Sequence, residues 1–240
     1  MKKNSVEISF SPAVYHRYHK EEAIVLVTDV LRATSAICTA FMNGARKIIP
    51  VGTLGEAKKL KEEGHIVAAE RDGIVRDFAD FGNSPYNFTR EKVEGKEIVY
   101  STTNGTQAIQ TASNSHAVIV GAFLNLSASA KWLIEQNRDV VILCAGWKDR
   151  FNLEDTIHAG AVAELLLKND NFFTICDSTH AAIDLWNIAK NDLRGYIEKA
   201  AQRSRLKKNN LDDVIDYCLT PDMTEIIPVL ENNYLILLNK

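Results

Sequence analysis

The sequence predicts an α/β fold: a three-layer α/β/α arrangement around a largely parallel or mixed sheet, with a C-terminal antiparallel hairpin. Three observations predict it. Short apolar runs alternate with amphipathic stretches of ten or more residues, the rhythm of βαβ units. Those runs are apolar throughout, as strands covered on both faces are. Residues 226–239, IIPVLENNYLILLN, set two apolar runs about a polar ENN, which predicts a hairpin at a sheet edge.

Taken in order, EAIVLVTD (22–29) predicts a buried strand and 33–43 a helix that ends at Gly44. RKIIPVG (46–52) is the next strand, LGEAKKLKEEG (54–64) a charged surface helix stopped by Gly64, and HIVAAE (65–70) a strand again. KEIVYS (96–101), AVIVGA (117–122) and DVVILCA (139–145) predict three more strands, each followed by a helix, over 104–113, 127–136 and 153–168. Between Glu70 and Lys92 the rhythm breaks into a long aromatic, turn-rich loop, of the kind that is usually functional or mobile. Residues 178–216 are mostly helical by pattern. One continuous unit over 1–240 is expected, with halves of about 1–95 and 96–240 as the alternative division.

Composition narrows the function classes. A net charge of -3 and a pI near 6.1 supply no global field for nucleic acid. No run approaches the roughly 18 apolar residues of a membrane span. Cys38, Cys144, Cys176 and Cys218 are scattered without a C-x-x-C pair, which argues against a zinc ribbon or a secreted disulfide framework. MKKNSVEISF has no apolar core of signal-peptide length. A cytoplasmic protein with a small anionic substrate is expected. A homo-oligomer is left open.

In open α/β sheets, ligands bind beyond the carboxyl ends of strands, where loops lead into helix N-termini. Four polar clusters fall at such junctions: Asp29, Arg32, Thr34 and Ser35; Glu70 and Arg71; STTNGT (101–106); and CAG (144–146) followed by NLEDT (152–156). If the strands are parallel, all four share one rim. STTNGT suits an oxyanion site and a helix cap equally. NLEDT suits helix-start chemistry, with Asn152 as the cap. Equally, Glu154 and Asp155 could join Asp29 and Glu70 to hold Mg²⁺, which prefers carboxylate oxygens. None of the six histidines forms an H-E-x-x-H pattern, and His158 reads as a packing residue.

Two familiar spacings fail on inspection. CAGWKDR (144–150) has C-x5-R, but Leu143, Trp147, Lys148 and Phe151 suit a cysteine-phosphatase loop badly. Cys144 reads as a small buried residue. Asp29 and Thr34 match haloacid-dehalogenase spacing, but Leu31 stands where that chemistry needs a second aspartate. P-loop and GxGxxG signatures are absent.

Several stretches together resemble the ComB family of 2-phosphosulfolactate phosphatases: DVLRATSAICTAFMNGARKIIPV (29–51), ERDG and DFGNSP within 70–85, TTNGTQAI (102–109), and CAG with FNLEDTIHAG within 144–160. The tail DVIDYCLTPDMTEIIPVL (213–230) is similar in style. Ala69 and Phe81 depart from the family's usual glycine and leucine. The resemblance implies a Mg²⁺-dependent phosphatase converting 2-phospho-3-sulfolactate to sulfolactate and phosphate, a step towards coenzyme M. Asp29, Arg32, Glu70 and Asp155 are then the expected catalytic residues. Asp29, Glu70 and Asp155 would hold the metal, with Glu154 as a substitute. Arg32 and Arg71 are the leading oxyanion clamps, ahead of Arg76, Lys148 and Arg150. Thr34, Ser35, Asn83, Ser84, Thr102, Thr103, Asn104 and Gly105 would contact substrate. A phosphatase for another phosphorylated 2-hydroxy acid, or a non-catalytic binder of an acidic metabolite, is the alternative.

Overall fold

The strand that ends at Asp29 lies deep inside a sheet. A computed structural model describes residues 3–238, so Met1, Lys2, Lys240 and the hairpin's last predicted residue, Asn239, lie outside the described residues. The strands are β1 (Asn4–Ser9), β2 (Ile24–Thr28), β3 (Lys47–Pro50), β4 (Ile66–Arg71), β5 (Ile74–Val75) and β6 (Glu97–Ser101). They continue as β7 (Ala117–Gly121), β8 (Val140–Cys144), β9 (Phe172–Phe173), β10 (Pro228–Glu231) and β11 (Tyr234–Leu237). The helices are α1 (Pro12–Tyr15), α2 (Ala33–Met42), α3 (Leu54–Glu62), α4 (Arg90–Val93), α5 (Gly105–Thr111) and α6 (Leu126–Gln136). Then come α7 (Leu153–Leu167), α8 (Asp177–Ala189), α9 (Leu193–Ile197), α10 (Ala201–Lys208) and α11 (Ile215–Leu219).

All eleven strands join in one mixed sheet of order β5-β4-β6-β3-β11-β10-β7-β2-β8-β1-β9, with helices on both sides. Side chains alternate across it as strand geometry requires. Ile24 and Leu26 of β2 enter a core with α6, α7 and α8, whereas Val25 and Val27 enter another with α2 and α5. Every residue of β2 is buried. At about 1.5–3 kcal/mol for each large apolar side chain, that strand is held firmly, and Asp29 with it.

Two expectations change. The C-terminal hairpin is not at an edge: β11 pairs with β3 and β10 with β7, so it is spliced into the middle of the sheet. The sheet also gains β1, which pairs in parallel with β8 along four residues. No strand was expected there because only Val6 and Ile8 carry the apolar signal. The turn-rich stretch after Glu70 contains the short β5, a 3-10 turn at Pro85–Asn87 and α4.

The inserted hairpin has a topological consequence. β4, β6 and β3 pair in parallel, as do β7, β2, β8 and β1. Three antiparallel steps separate the two blocks, so in a flat sheet Asp29 and Glu70 would sit at opposite edges. They nevertheless come within electrostatic reach of each other. Each junction to the hairpin rests on one register pair, Val229 with Ile119 and Leu235 with Ile48. Both blocks, through Val25, Val27, Ile98 and Tyr100, pack on the shared helices α2 and α5. Tyr100 of β6 even donates its hydroxyl to the Ala33 carbonyl at the start of α2, at 3.3 Å.

Candidate active site

Asp29 follows β2 directly and turns the chain into α2. Its own N–H donates to Thr34 Oγ1 at 3.1 Å, and its carbonyl accepts from Thr34 N–H at 2.9 Å. The carboxylate accepts weakly from Ala33 N–H at 3.4 Å and also from Gly105 N–H. Gly105 has to be glycine here, because a Cβ would lie 2.6 Å from Ala33 Cβ and 2.9 Å from Asp29 Oδ2. Burial, then the charges of Asp155 and Glu70, raises the Asp29 carboxyl well above the usual range.

Two more acids arrive from the next strand. β8 ends at Cys144, and α7 begins with Glu154 and Asp155 in its first turn. Asp155 Oδ1 accepts from Val30 N–H at 2.8 Å and Oδ2 from Gly146 N–H at 3.2 Å, which ties β2, β8 and α7 together. Asn152 stands at the cap position, but its side chain does not cap the helix. Its amide instead donates to Asp155 Oδ2 at 2.8 Å and Glu154 Oε1 at 3.1 Å. Burial first, then Glu154, brings Asp155 up to about 8. Burial, with the Asp29 charge adding to it, brings Glu154 up to about 7. Glu154 Oε2 and Asn152 Oδ1 are buried with no hydrogen-bond partner.

Arg32 supplies the opposite charge. It is 3% exposed, and its Nη2 donates to Asn83 Oδ1 at 2.8 Å. Its Nη1 is buried without a partner. An unpaired buried donor is costly, so this nitrogen marks where an oxyanion would be most stabilised. Burial lowers the Arg32 pKa from its ordinary value.

The Glu70 side is built differently. Glu70 Oε1 accepts from Thr103 N–H at 2.7 Å, Oε2 accepts from Gly73 N–H at 2.7 Å, and the Thr103 hydroxyl reaches both oxygens. Arg71 donates to the carbonyls of Glu70 and Gly52 and to Ser101 Oγ. Asn104 Oδ1 accepts from Lys148 N–H, and Lys148 Nζ pairs with Asp72 at 2.6 Å. These contacts bind the loops after β4, β6 and β8 into one frame around the acids.

A sequence model described as 2-phosphosulpholactate phosphatase matches residues 10–233. The chain belongs to that family. It is similar to a Thermotoga maritima protein named "Probable 2-phosphosulfolactate phosphatase", 39% identical over 212 residues, covering 88% of this chain and 91% of that one. A protein of the same name from Caldanaerobacter subterraneus is 37% identical over 216 residues, covering 88% and 89%. A third, from Clostridium beijerinckii, is 34% identical over 230 residues, covering 94% and 95%. The names of these relatives all denote phosphoric monoester hydrolases.

Within this phosphatase family member, the remaining candidate residues are placed as follows. The hydroxyls of Thr34 and Ser35 are buried and face their own turn, Ser35 donating to the Val30 carbonyl at 2.8 Å. Thr102 and Thr106 exchange reciprocal 3.2 Å bonds at the start of α5, which is the cap reading of STTNGT. Ser84 accepts from Asn87 N–H through its carbonyl. Burial raises the Cys144 thiol well above its ordinary value, the reverse of what a thiolate nucleophile needs. His158 is buried, bonds Thr28 Oγ1 at 2.9 Å and packs on Phe123, and burial lowers it to about 4.

Sequence reasoning missed a third wall of the site, from α10. Gln202 Nε2 donates to the Leu31 carbonyl at 2.8 Å, and Arg205 lies 4.0 Å over the Trp147 ring, within electrostatic reach of Glu154. The available signal was the i, i+3 spacing of Gln202 and Arg205, which puts both on one helix face. Among the described residues, no three His, Cys, Asp or Glu side chains close into a ready metal shell. The donor set nonetheless suits a hard dication. Asp29, Glu154 and Asp155 repel one another, and Glu154 Oε2 and Asn152 Oδ1 are open acceptors.

Proposed function

We propose that the chain is a Mg²⁺-dependent cytoplasmic phosphatase that hydrolyses 2-phospho-3-sulfolactate to 3-sulfolactate and phosphate, a step of the coenzyme M biosynthesis type. The observation that carries this reading is one constellation. Asp29 is buried between two further acids, beside the backbone N–H of Gly105, with Arg32 Nη1 unpaired nearby. The names of the family and of its relatives support the substrate.

Asp29, Glu154 and Asp155 would hold Mg²⁺, with Asn152 Oδ1 as a neutral oxygen donor. When bound, the ion supplies charge neutralisation at the phosphoryl oxygens and orients the attacking group. The chain's own residues do the rest. Arg32 grips a phosphoryl oxygen through Nη1, held in place by Asn83. The backbone N–H groups of Ala33 and Gly105, at the starts of α2 and α5, donate to the Asp29 carboxylate and fix its position. Asn152 holds Glu154 and Asp155 in register. Glu70, Arg71, Thr103, Asn104 and Lys148 fix the loops around them.

The test is phosphate release from a panel of phosphorylated 2-hydroxy acids, with Mg²⁺ and then with EDTA. Metal-dependent release that favours 2-phospho-3-sulfolactate is the expected result. Release favouring another member reassigns the substrate, and binding without turnover removes the enzyme reading. In the same assay, acid quenching during turnover separates direct attack by water, which leaves no phosphoprotein, from attack by Asp29, which leaves a phosphoryl group on its carboxylate.

A further inference from the structure

We infer that Arg205, laid flat on Trp147 at the mouth of the site, is the specificity residue that grips the sulfonate of the substrate. The inference rests on the substrate reading above and deepens it.

The guanidinium is built into place. Its carbon lies 4.0 Å above the Trp147 ring, and its Nε donates to Gln202 Oε1 at 2.7 Å. Gln202 is anchored in turn to the Leu31 carbonyl, next to Arg32. Stacking covers one face of the guanidinium, and the Nε bond fixes its plane. Its two terminal nitrogens make no hydrogen bond or ion pair among the described residues. An edge presented in this way matches two oxygens of one oxyanion.

Of the other cations around the mouth, Arg76 and Arg150 have no side-chain partner among the described residues but lack the stacked and hydrogen-bonded support that holds Arg205, and two are already engaged. Arg71 is taken up by two carbonyls and Ser101, and Lys148 by Asp72. Arg32 is buried at the centre, where the phosphoryl group belongs. Substrate chemistry then sets the order from centre to mouth. Phosphate and carboxylate sit on the same carbon, so both stay near Asp29 and Arg32. The sulfonate is one carbon further out, towards the half-buried Arg205. A merely solvated position on α10 would not tie Gln202 to the β2–α2 turn or stack the arginine on an indole.

The experiment compares 2-phospho-3-sulfolactate with 2-phospholactate, which keeps phosphate and carboxylate and lacks the sulfonate. In Arg205→Ala, the ratio of kcat/KM between the two substrates is expected to fall about 30-fold, in line with the loss of a charged hydrogen-bonded contact. The loss should appear mainly in KM. Arg205→Lys, which keeps the charge and loses the fork, should recover only part of it. Circular dichroism checks that both variants fold. Equal losses on both substrates would overturn the assignment, because Arg205 would then act on the shared groups or on the fold. An unchanged ratio would overturn it as well. Wild-type protein that hydrolyses neither compound sinks the functional reading itself, and this inference with it.

Discussion

The two sides of the site carry the same residue types in opposite states. On one side, Glu70 is 3% exposed, yet both of its oxygens are taken by Thr103 and Gly73, and Arg71 is spent on carbonyls and Ser101. On the other, Asp29 is 8% exposed among Glu154 and Asp155, with Glu154 Oε2, Asn152 Oδ1 and Arg32 Nη1 unsatisfied. Burial of a charged group is therefore not what marks chemistry here. What sets the Asp29 side apart is the unpaired atoms of Glu154, Asn152 and Arg32 gathered in one place. Asp155 there is hydrogen-bonded on both oxygens, as Glu70 is, and the buried Ser129 Oγ and His158 Nε2 are unpaired as well. The proposed function accordingly takes the Glu70 side as frame, in place of the catalytic and metal-holding role expected of Glu70, and the Asp29 side as reaction centre.

Substitutions can break that contrast, and the largest effect is expected at its centre. Asp29→Asn should lower kcat by about a thousand-fold, the scale of losing a main electrostatic contributor, with circular dichroism unchanged. Arg32→Lys should cost about a hundred-fold in kcat/KM, because a point charge replaces a fork held by Asn83. Gly105→Ala drives a methyl group against Ala33 Cβ and Asp29 Oδ2. A loss of about ten-fold in kcat follows from a misplaced carboxylate.

Glu70→Gln sharpens the other half. An amide cannot accept from both Thr103 N–H and Gly73 N–H at full strength, so stability should fall by about 2 kcal/mol. That corresponds to about 4–8 °C in Tm, with only a few-fold change in kcat. A separate effect is a slope with pH. Glu154 near 7 and Asp155 near 8 hold protons in the folded state that the unfolded chain has released above about pH 4. Their contribution to stability is therefore lost as pH rises from about 4 to about 8, by at most about 1.4 kcal/mol per pH unit for each group. Thermal melts in EDTA between pH 5 and 9 should show the decline, and Mg²⁺ should flatten it.

The legible parts of the fold are those where one residue pattern has one structural use. β2 was readable because four apolar residues, 24–27, run without a break up to Thr28 and Asp29, and a strand covered on both faces leaves no other place for them. β1 was not, since Asn4, Ser5, Glu7 and Ser9 dilute its apolar signal. The approach of Asp29 to Glu70 was also hidden. Residues 228–237 insert between β3 and β7, and strand order leaves no trace in local periodicity. The acids of the site were identifiable, but their states were not. Nothing in NLEDT says that Asn152 will abandon its cap to hold two carboxylates. AQRSRLKK of α10 was legible only as part of a mostly helical stretch, and nothing in it says that Arg203 and Leu206 are buried.

The contrast is tested most directly by single-turnover phosphate release from 2-phospho-3-sulfolactate, with Asp29→Asn and Glu70→Gln measured side by side at saturating Mg²⁺. The account predicts almost no burst from Asp29→Asn and a burst close to wild type from Glu70→Gln. A full burst from Asp29→Asn beside a silent Glu70→Gln would contradict it, and would move the reaction centre to the side assigned here as frame.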